Sequence, residues 1–370
     1  MAANHPARFK PAEVHGLIAR LMDNLVNIKD TTGEFLLKLD DGRVIDTKGW
    51  NDWEWTHGVG LYGLYRYYDQ TLDENCIRIV TDWFKNRFAA GTPTKNINTM
   101  AAMLTLAYLY ERTGNSSYRP YLEVWADWVM HDMPRTEDAG FQHIVFNNDN
   151  RQQLWDDTLM MSVLPLAKIG LLLDRPEYVE EAKRQFLIHI KYLFDTRSGL
   201  WFHGWTFEGR HNFARALWAR GNSWITIVIP EFIELLNLKP GDFLREFLLD
   251  TFRAQVAALA RLQDKETGLW HTLLDDPDAY LEASATAGFA FGMLKAIRKR
   301  YLPADYLPVA VKAVEGVIGK IDGRGELTQV SFGTAMGNDL QFYRNIKLTS
   351  MPYGQSMAIL ALTEYLNHYI

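Results

Sequence analysis

The sequence predicts an all-α protein, an (α/α)6 toroid in which six helical hairpins form inner and outer rings around a cleft. Three observations support this fold class. Apolar residues recur at helical spacing along most of the 370 residues. No segment alternates long enough between apolar and polar residues to predict a major sheet, and glycine-bearing loops recur at similar intervals along the chain.

The repeated loops carry an acidic residue or a threonine, then a glycine and an apolar residue. The glycines are Gly33, Gly140, Gly199, Gly268 and Gly325, and Gly91 lies within the one double-length gap. The resulting spacing of roughly 50 to 70 residues holds two helices of about 12 to 20 residues with their connections. The last segment, 357–369, is still apolar on one face. Closure into a ring would bury it, whereas an open solenoid needs polar ends.

Composition limits the architecture and the partners. Because no Pro/Gly/Ser-rich linker divides the chain, we expect residues 1–370 to form a single domain. The formal net charge is −6, with acidic and basic residues mixed throughout, which argues against nucleic acid or a membrane surface as partner. Cys76 is the single cysteine, so no internal disulfide framework is expected. We see no secretion signal and no apolar run of about 20 residues, so the expected location is cytoplasmic.

The first candidate for chemistry is Trp155-Asp156-Asp157, which opens a long apolar segment. Either aspartate could simply cap the following helix, because a carboxylate satisfies free amides at a helix N-terminus. The neighbouring tryptophan also favours a second interpretation. A carboxyl in a partly dehydrated pocket has a raised pKa and can act as a general acid near neutral pH.

Two further clusters combine tryptophans with a polar side chain. His203 lies between Trp201 and Trp205, where it could bind a sugar hydroxyl, move a proton or simply pack on the aromatic rings. Arg220 lies between Trp218 and Trp224. Its planar fork suits a carboxylate, although a structural ion pair with cation–π packing is the alternative.

Other candidate residues occur at the same position in successive hairpins, at the point where the second helix begins. They are Trp53, Glu54, Trp55 and His57, then Asn96 and Asn98, then Glu282, and finally Tyr353 and Gln355. For Asn96, Asn98 and Glu282 taken singly, helix capping is the simpler interpretation. The chain lacks a phosphate loop, a nucleophile elbow, a dinucleotide fingerprint and a His-x-x-x-His helix, so we expect no cofactor and no metal.

Taken together and in this order, these segments resemble glycoside hydrolase family 105, the unsaturated rhamnogalacturonyl hydrolases. The resemblance rests on the segments starting at Trp53, Gln153, Trp201, Trp218 and Gln263, and on Asn98 ahead of an apolar helix. It implies an (α/α)6 barrel and an oligosaccharide substrate that ends in a C4=C5 unsaturated uronic acid. It also assigns the catalytic role to Asp157, two residues after the tryptophan. Asn98 matches a position where relatives can carry an aspartate, so a second carboxylate is missing there.

One carboxyl is enough for a hydration, because an unsaturated uronide is a vinyl ether. In this hypothesis neutral Asp157 protonates C4, and its anion then accepts a proton from the water that attacks C5. Arg220 holds the uronate carboxylate, His203 binds a hydroxyl or the water, and Trp218 and Trp224 stack on the sugar. The remaining candidates for substrate binding are Trp155, Asn98, Trp55 and His57.

Three other interpretations stay open at this stage. An (α/α)6 sugar epimerase would need two facing histidines, and His57, His143 or His271 could partner His203. A hydrolase of unsaturated glycosaminoglycan or ulvan disaccharides would share the chemistry but not the substrate. A non-enzymatic helical scaffold would have neither a dehydrated carboxyl nor an arginine that binds a carboxylate. The sequence is compatible with a monomer or a homodimer.

Overall fold

The structure of the protein, a computed structural model, describes residues 8–369. This part of the chain is dominated by helices. In chain order they are α1 (Pro11–Asn27), α2 (Trp55–Thr71), α3 (Glu74–Ala90), α4 (Ala102–Thr113), α5 (Arg119–His131), α6 (Leu164–Leu172), α7 (Pro176–Leu193), α8 (Ala219–Leu235), α9 (Phe243–Leu262), α10 (Ala283–Arg298), α11 (Leu307–Ile318), α12 (Leu340–Arg344) and α13 (Pro352–Tyr369).

The helices form two concentric layers. The inner layer consists of α2, α4, α6, α8, α10 and α13, and each of these contacts the inner helices on both sides of it. The outer layer consists of α1, α3, α5, α7, α9 and α11, each of which precedes one inner helix in the chain. The short α12 lies in the connection before α13. The predicted (α/α)6 toroid of six hairpins is therefore confirmed.

The burial pattern explains the division into layers. In α8 every residue from Ala219 to Ile233 is buried, as expected for a helix surrounded by protein. In α1 only one stripe is buried, formed by Val14, Ile18, Leu21, Met22 and Leu25, and the other face is polar. None of the described helices has the length and apolarity that crossing a bilayer would require.

Ring closure brings α13 against α2. A small residue on each helix permits this contact, because a Cβ on Gly63 would lie 2.2 Å from the Ser356 hydroxyl. That hydroxyl accepts a hydrogen bond from the Gly63 amide at 3.1 Å and donates one to the Val59 carbonyl at 2.5 Å. The end of the chain is thus packed between the first and fifth inner helices, as the apolar face of its last segment predicted.

Each of the six glycine-bearing loops joins an outer helix to the next inner helix. Five of these glycines, all except Gly140, have a positive φ between 76° and 96°, which a side chain would strain. At the remaining loop Ala139 takes the left-handed conformation, with φ 60°. Gly140 is needed there for space, because a Cβ would lie 2.6 Å from Leu154.

Short two-stranded antiparallel sheets brace these loops. The strands are β1 (Leu36–Lys38), β2 (Val44–Asp46), β3 (Gln153–Trp155), β4 (Phe194–Asp195), β5 (Leu200–Trp201), β6 (Gly204–Thr206), β7 (Trp270–His271) and β8 (Leu281–Glu282). They pair as β1–β2, β3–β6, β4–β5 and β7–β8. The β3–β6 pair joins two successive hairpins and sets Trp155 opposite Gly204. It therefore brings the segments around Asp157 and His203 to one place.

A buried ion cluster joins α8 and α10 within the helical layers. The ammonium group of Lys295 lies 2.6 Å from Glu231 and 2.5 Å from Glu234, and both Lys295 and Glu231 are buried. The positive charge of Lys295 compensates Glu231, which would otherwise be costly to bury.

Candidate active site

A cavity of about 400 Å³ opens where the loops enter the inner helices. Its size falls within the usual range for small-ligand sites. Among its lining residues are Trp55, Asn98, Trp155, Asp157, Trp218 and Arg220, which come from the starts of α2, α4, α6 and α8. Six of the nine sequence-predicted site residues thus line one cavity. His203 and Trp224 contact Asp157 without lining it, and His57 lies elsewhere.

Asp157 occupies the centre of this arrangement. One carboxylate oxygen, Oδ1, accepts a hydrogen bond from the Trp224 indole at 3.1 Å. The other, Oδ2, lies 3.4 Å from Nε2 of His203. The side chain remains 15% exposed, and that exposed part faces the cavity. Trp224 and His203 therefore fix the orientation of a carboxyl that a ligand can still reach.

A tyrosine orients His203. Nδ1 of His203 lies 2.7 Å from the Tyr343 hydroxyl, which also accepts a hydrogen bond from the Gly337 amide at 3.2 Å. When Tyr343 donates to Nδ1, the ring proton of neutral His203 is on Nε2 and points at Asp157. Tyr343 comes from the short helix α12, and no sequence signal marked it as part of the site.

The charge state of Asp157 differs from the sequence-based expectation. Burial acts to raise the pKa of Asp157, but its interaction with His203 outweighs burial and lowers the pKa below its ordinary value. Asp157 is therefore ionised in the free protein, whereas the sequence suggested a neutral acid. His203 acts on Asp157 itself, a contact that the sequence could not indicate.

The neighbouring Asp156 carries the opposite shift. It is fully buried, and neither of its carboxylate oxygens has a donor among the residues that the structure describes. Burial and the negative charge of Asp157 raise the pKa of Asp156 well above its ordinary value. Asp156 is thus neutral, and the two adjacent carboxyls have distinct protonation states.

Asp156, Asp157 and His203 form a close group, with one ligand atom from each lying within 4.8 Å of the others. Such a group could hold a cation, but a neutral Asp156 leaves one carboxylate and one imidazole as donors. Structural and catalytic zinc sites use three or four protein ligands, and calcium sites use six or more oxygens. The opposite pKa shifts of the two carboxyls favour one proton held by Asp156 over a bound cation.

Arg220 lines the cavity but does not present its fork to it. Nη1 donates to the Ser331 carbonyl at 2.6 Å and to the Ser331 hydroxyl, and Nη2 donates to the Phe332 carbonyl at 2.9 Å and to the Thr334 hydroxyl at 2.8 Å. All four terminal N–H groups are therefore committed to one loop. The sequence predicted that this guanidinium binds a uronate carboxylate. In the structure its terminal N–H groups are already used by the loop. Arg220 instead anchors the loop, and its guanidinium packs over Trp218 at 4.5 Å.

The aromatic candidates divide into cavity walls and support. Trp55 lines the cavity and stacks on Tyr353, with 4.4 Å between ring centroids. Trp155 also lines it and stacks on His143 at 4.1 Å with an interplanar angle of 9°. Trp224, in contrast, is fully buried behind Asp157 and offers no face to a sugar. The predicted stacking role of Trp224 is replaced by its hydrogen bond to the carboxylate.

His57 does not belong to the cavity. Its Nε2 lies 2.7 Å from the Gly49 carbonyl, and its Nδ1 accepts a hydrogen bond from the Glu54 amide at 3.1 Å. The ring is fully buried, with both nitrogens used. His57, predicted to bind substrate, instead fixes the entry into α2 in this structure.

Capping accounts for two of the lesser candidates. Asn96 accepts a hydrogen bond from the Thr99 amide at 2.9 Å, and Glu282 accepts one from the Ala285 amide at the start of α10 at 2.5 Å. Asn98 makes no such cap and lines the cavity instead. These residues occur at the same position in successive hairpins, and that position did indicate the end of the fold that carries the cavity. It did not distinguish helix caps from residues that line the cavity.

Two residues that line the cavity, His143 and Glu54, were not predicted from the sequence to bind substrate. His143, considered only as a partner for His203, lines the cavity, and burial lowers its pKa to about 3, so its ring is neutral. Glu54 lines the cavity from the start of α2, and burial raises its pKa to about 8. The sequence did indicate Glu54, because it directly precedes Trp55 at the position in the hairpin where the other polar candidates occur.

The chain matches known proteins over most of its length. Residues 27–369 match the family model described as Glycosyl Hydrolase Family 88. The chain is 31% identical over 318 residues to the unsaturated rhamnogalacturonyl hydrolase YesR of Bacillus subtilis, covering 85% of this chain and 90% of that protein. It is 27% identical over 258 residues to an unsaturated 3S-rhamnoglycuronyl hydrolase of an Alteromonas species, covering 65% of this chain and 60% of that protein.

A solved structure shares the whole architecture. The crystal structure of a possible member of the GH105 family from Salmonella enterica is 63% identical and superposes with a TM-score of 0.98. The match covers 99% of this chain and 97% of that one.

Proposed function

We propose a function from the premise that the chain belongs to Glycosyl Hydrolase Family 88 and that its resemblance to family 105 is confirmed. The proposed activity is hydrolysis of an oligosaccharide that ends in a C4=C5 unsaturated uronic acid. The substrate class proposed is a fragment of rhamnogalacturonan, because YesR is an unsaturated rhamnogalacturonyl hydrolase and 90% of its length matches this chain.

The observation that carries the proposal is the position of Asp157. Its carboxylate reaches the cavity while Trp224 and His203 hold it from behind. An anion at this place stabilises the positive charge that develops at C5 and the ring oxygen when C4 is protonated. The same carboxylate accepts a proton from the water that attacks C5. The hemiketal formed then opens and releases the neighbouring sugar.

The ionised state of Asp157 in the free protein raises the question of where the proton for C4 comes from. A carboxylate that is already deprotonated can serve as the base for water, but it has no proton for C4. The one-carboxyl scheme, in which Asp157 does both, therefore lacks a starting proton in the free protein. That proton is taken up when the substrate binds, because the negative charge of the uronate carboxylate acts to raise the pKa of Asp157.

An epimerase that uses paired histidines is the less favoured alternative. The structure does bring both His143 and His203 against Trp155, with ring centroids 4.1 and 5.2 Å away. However, burial lowers the pKa of His143 to about 3, so this ring cannot easily hold a proton for transfer. The family match also favours a hydrolase.

The test is an absorbance assay on lyase-digested rhamnogalacturonan, in which the conjugated alkene absorbs in the ultraviolet. The native protein is expected to abolish this absorbance with release of the neighbouring sugar, and Asp157→Asn to lose about 100- to 10,000-fold in kcat. Glu266→Gln, on an exposed loop outside the cavity, is the matched control. Unsaturated glycosaminoglycan and ulvan disaccharides form parallel arms. Near-normal turnover by Asp157→Asn would overturn the role of this residue.

A further inference from the structure

Asp156 is a buried carboxyl that the proposed reaction does not use. Its side chain is fully buried, and neither of its oxygens accepts a hydrogen bond from a described residue, so it does not cap the helix that follows. Its backbone, in contrast, is held on both sides. The Asp156 amide donates to the His203 carbonyl at 3.0 Å, and the Asp156 carbonyl accepts from the Leu159 amide at 3.2 Å. A buried carboxyl without a partner is costly, so its position calls for a physical explanation.

The first turn of α8 leaves space for this carboxyl but does not bind it. A Cβ on Gly221 would lie 2.7 Å from Oδ1 of Asp156 and closer still to Oδ2, so only a glycine fits there. No amide of that turn donates to either oxygen. The adjacent Arg220 is committed to the loop at 331–334 through its terminal N–H groups. The start of α8 therefore supplies neither a donor nor a free positive charge to Asp156.

The polar groups within reach of Asp156 are Asp157 and His203. One oxygen of each aspartate and one nitrogen of His203 lie within 4.8 Å of one another. Nε2 of His203 points at Oδ2 of Asp157, 3.4 Å away, and the Trp224 indole donates to Oδ1. Each oxygen of a carboxylate has two lone pairs, so Asp157 can still accept a further hydrogen bond. A buried carboxyl beside a carboxylate is accommodated when it keeps its proton and donates it to that neighbour.

The electrostatics of the pair agree with this geometry. Burial and the negative charge of Asp157 raise the pKa of Asp156, and the interaction with Asp156 contributes to the lowered pKa of Asp157. The other titratable or charged groups that face the pair or the adjoining cavity are His203, Tyr343, His143, Glu54 and Arg220. None of them replaces Asp157 as a partner for the Asp156 carboxyl, whose oxygens accept no hydrogen bond.

We propose that Asp156 is a positioning residue whose protonated carboxyl donates a hydrogen bond to Asp157 throughout the reaction. This inference rests on the proposed function. Trp224, His203 and Asp156 then hold the carboxyl of Asp157, while its exposed part faces the ligand. When Asp157 gives its proton to C4, the hydrogen bond from Asp156 stabilises the anion that forms, since bonds to a charged acceptor are the stronger ones. Asp156 keeps its own proton, so each turnover still adds one water molecule across C4=C5.

The kinetic test compares kcat, KM and the pH profile of the native protein, Asp156→Ala, Asp156→Asn and Glu266→Gln on lyase-digested rhamnogalacturonan. Asp156→Ala removes the donor, which raises the pKa of Asp157. The alkaline limb of the profile should move up by about one pH unit and kcat should fall about tenfold. Asp156→Asn keeps a neutral donor of the same shape, so it should restore most of kcat and the native limb. Glu266→Gln should match the native protein.

An infrared measurement tests the hydrogen bond without requiring turnover. The difference between the spectra of the native protein and Asp156→Asn at pH 7 should contain the carbonyl band of a protonated carboxyl. The same difference measured in an Asp157→Asn background should show this band at another frequency, because the acceptor has changed from a carboxylate to an amide.

The outcomes separate this inference from the proposed function. If Asp156 were an anion, Asp156→Ala would remove a negative charge, the limb would move to lower pH and the band would be absent, which overturns the proposal. If Asp156→Ala and Asp156→Asn lose kcat equally and keep the native limb, Asp156 has a packing role only, and the proposal is likewise overturned. If the native protein consumes no unsaturated uronide, the proposed function falls, while a band that depends on Asp157 still supports the hydrogen bond and an absent band refutes it.

Discussion

The protonated state of Glu54 should make the stability of the protein depend on pH, and Glu54→Gln should remove that dependence. A glutamine has nearly the same shape but carries no proton to lose. The unfolded chain ionises this glutamate near its ordinary pKa of 4.5, whereas the folded protein holds its proton up to about pH 8. Between these two values the folded state binds one more proton than the unfolded state, so stability falls as the pH rises.

The magnitude follows from the difference between the two pKa values. The shift from 4.5 to about 8 is 3.5 units. At roughly 1.4 kcal/mol per unit, this one group costs the native protein about 5 kcal/mol above pH 8 relative to a pH below 4.5. Loss of the acidic cap at α2 offsets part of the gain in the variant, by about 1 kcal/mol. Glu54→Gln should therefore be the more stable protein at pH 8 and the less stable one at pH 4.

The assay is urea unfolding of the native protein, Glu54→Gln and Glu266→Gln at unit steps from pH 4 to pH 9. The difference in free energy of unfolding between the native protein and Glu54→Gln isolates Glu54 from all other titrating groups. This difference should change by about 1.4 kcal/mol per pH unit between pH 5 and pH 8 and should level off outside that window. Parallel stability curves for the native protein and Glu54→Gln would refute the reasoning, since they would mean that Glu54 is ionised when folded.

The remaining predictions concern the groups around the site and the core. Asn98→Ala should move the upper end of the Glu54-dependent fall in stability to higher pH, because Asn98 acts to lower the pKa of Glu54; urea unfolding of this variant at alkaline pH measures the change, and an end that does not move would contradict it. Arg220→Lys should raise KM about tenfold with a small effect on kcat, because an ammonium group cannot make the four hydrogen bonds by which the planar guanidinium holds the loop at 331–334. Steady-state kinetics measure both constants, and an unchanged KM would contradict the anchoring role. Lys295→Ala should lower the free energy of unfolding by about 3 kcal/mol, because it removes the ammonium group that contacts buried Glu231 and leaves only the charge of Arg66 to compensate it; denaturant unfolding measures this loss, and a change below 1 kcal/mol would contradict it.

The fold could be predicted because its signals are local and repeated. Each hairpin carries its own apolar stripe and its own glycine, so the loops at Gly33 and Gly268 are recognisable without knowledge of the rest of the chain. Closure was also predictable, since the apolar face of α13 has to be buried. The same locality explains why Trp155 and Asp157 could be identified as site residues, because both belong to one short segment.

The errors concern partners that are distant in sequence. The carbonyls that accept hydrogen bonds from Arg220 belong to Ser331 and Phe332, more than a hundred residues further along the chain. The sequence around Arg220 therefore could not indicate that its guanidinium is already bound. The charge of Asp157 depends on the β3–β6 pairing that brings His203 beside it. A pKa is set by burial and by such neighbours, and neither can be read from spacing.

Stereospecific deuteration tests the central claim most directly. Turnover of an unsaturated rhamnogalacturonan disaccharide in D2O, followed by nuclear magnetic resonance, reports how the hydrogen at C4 is added. Enzymatic hydration by Asp157 requires loss of the alkene in step with release of the neighbouring sugar, and one deuteron on a single face of C4 in the first product formed. Release of a sugar that still carries the double bond, or deuterium distributed over both faces of C4 in the first product formed, before exchange next to the C5 ketone, would contradict enzymatic hydration in this cavity.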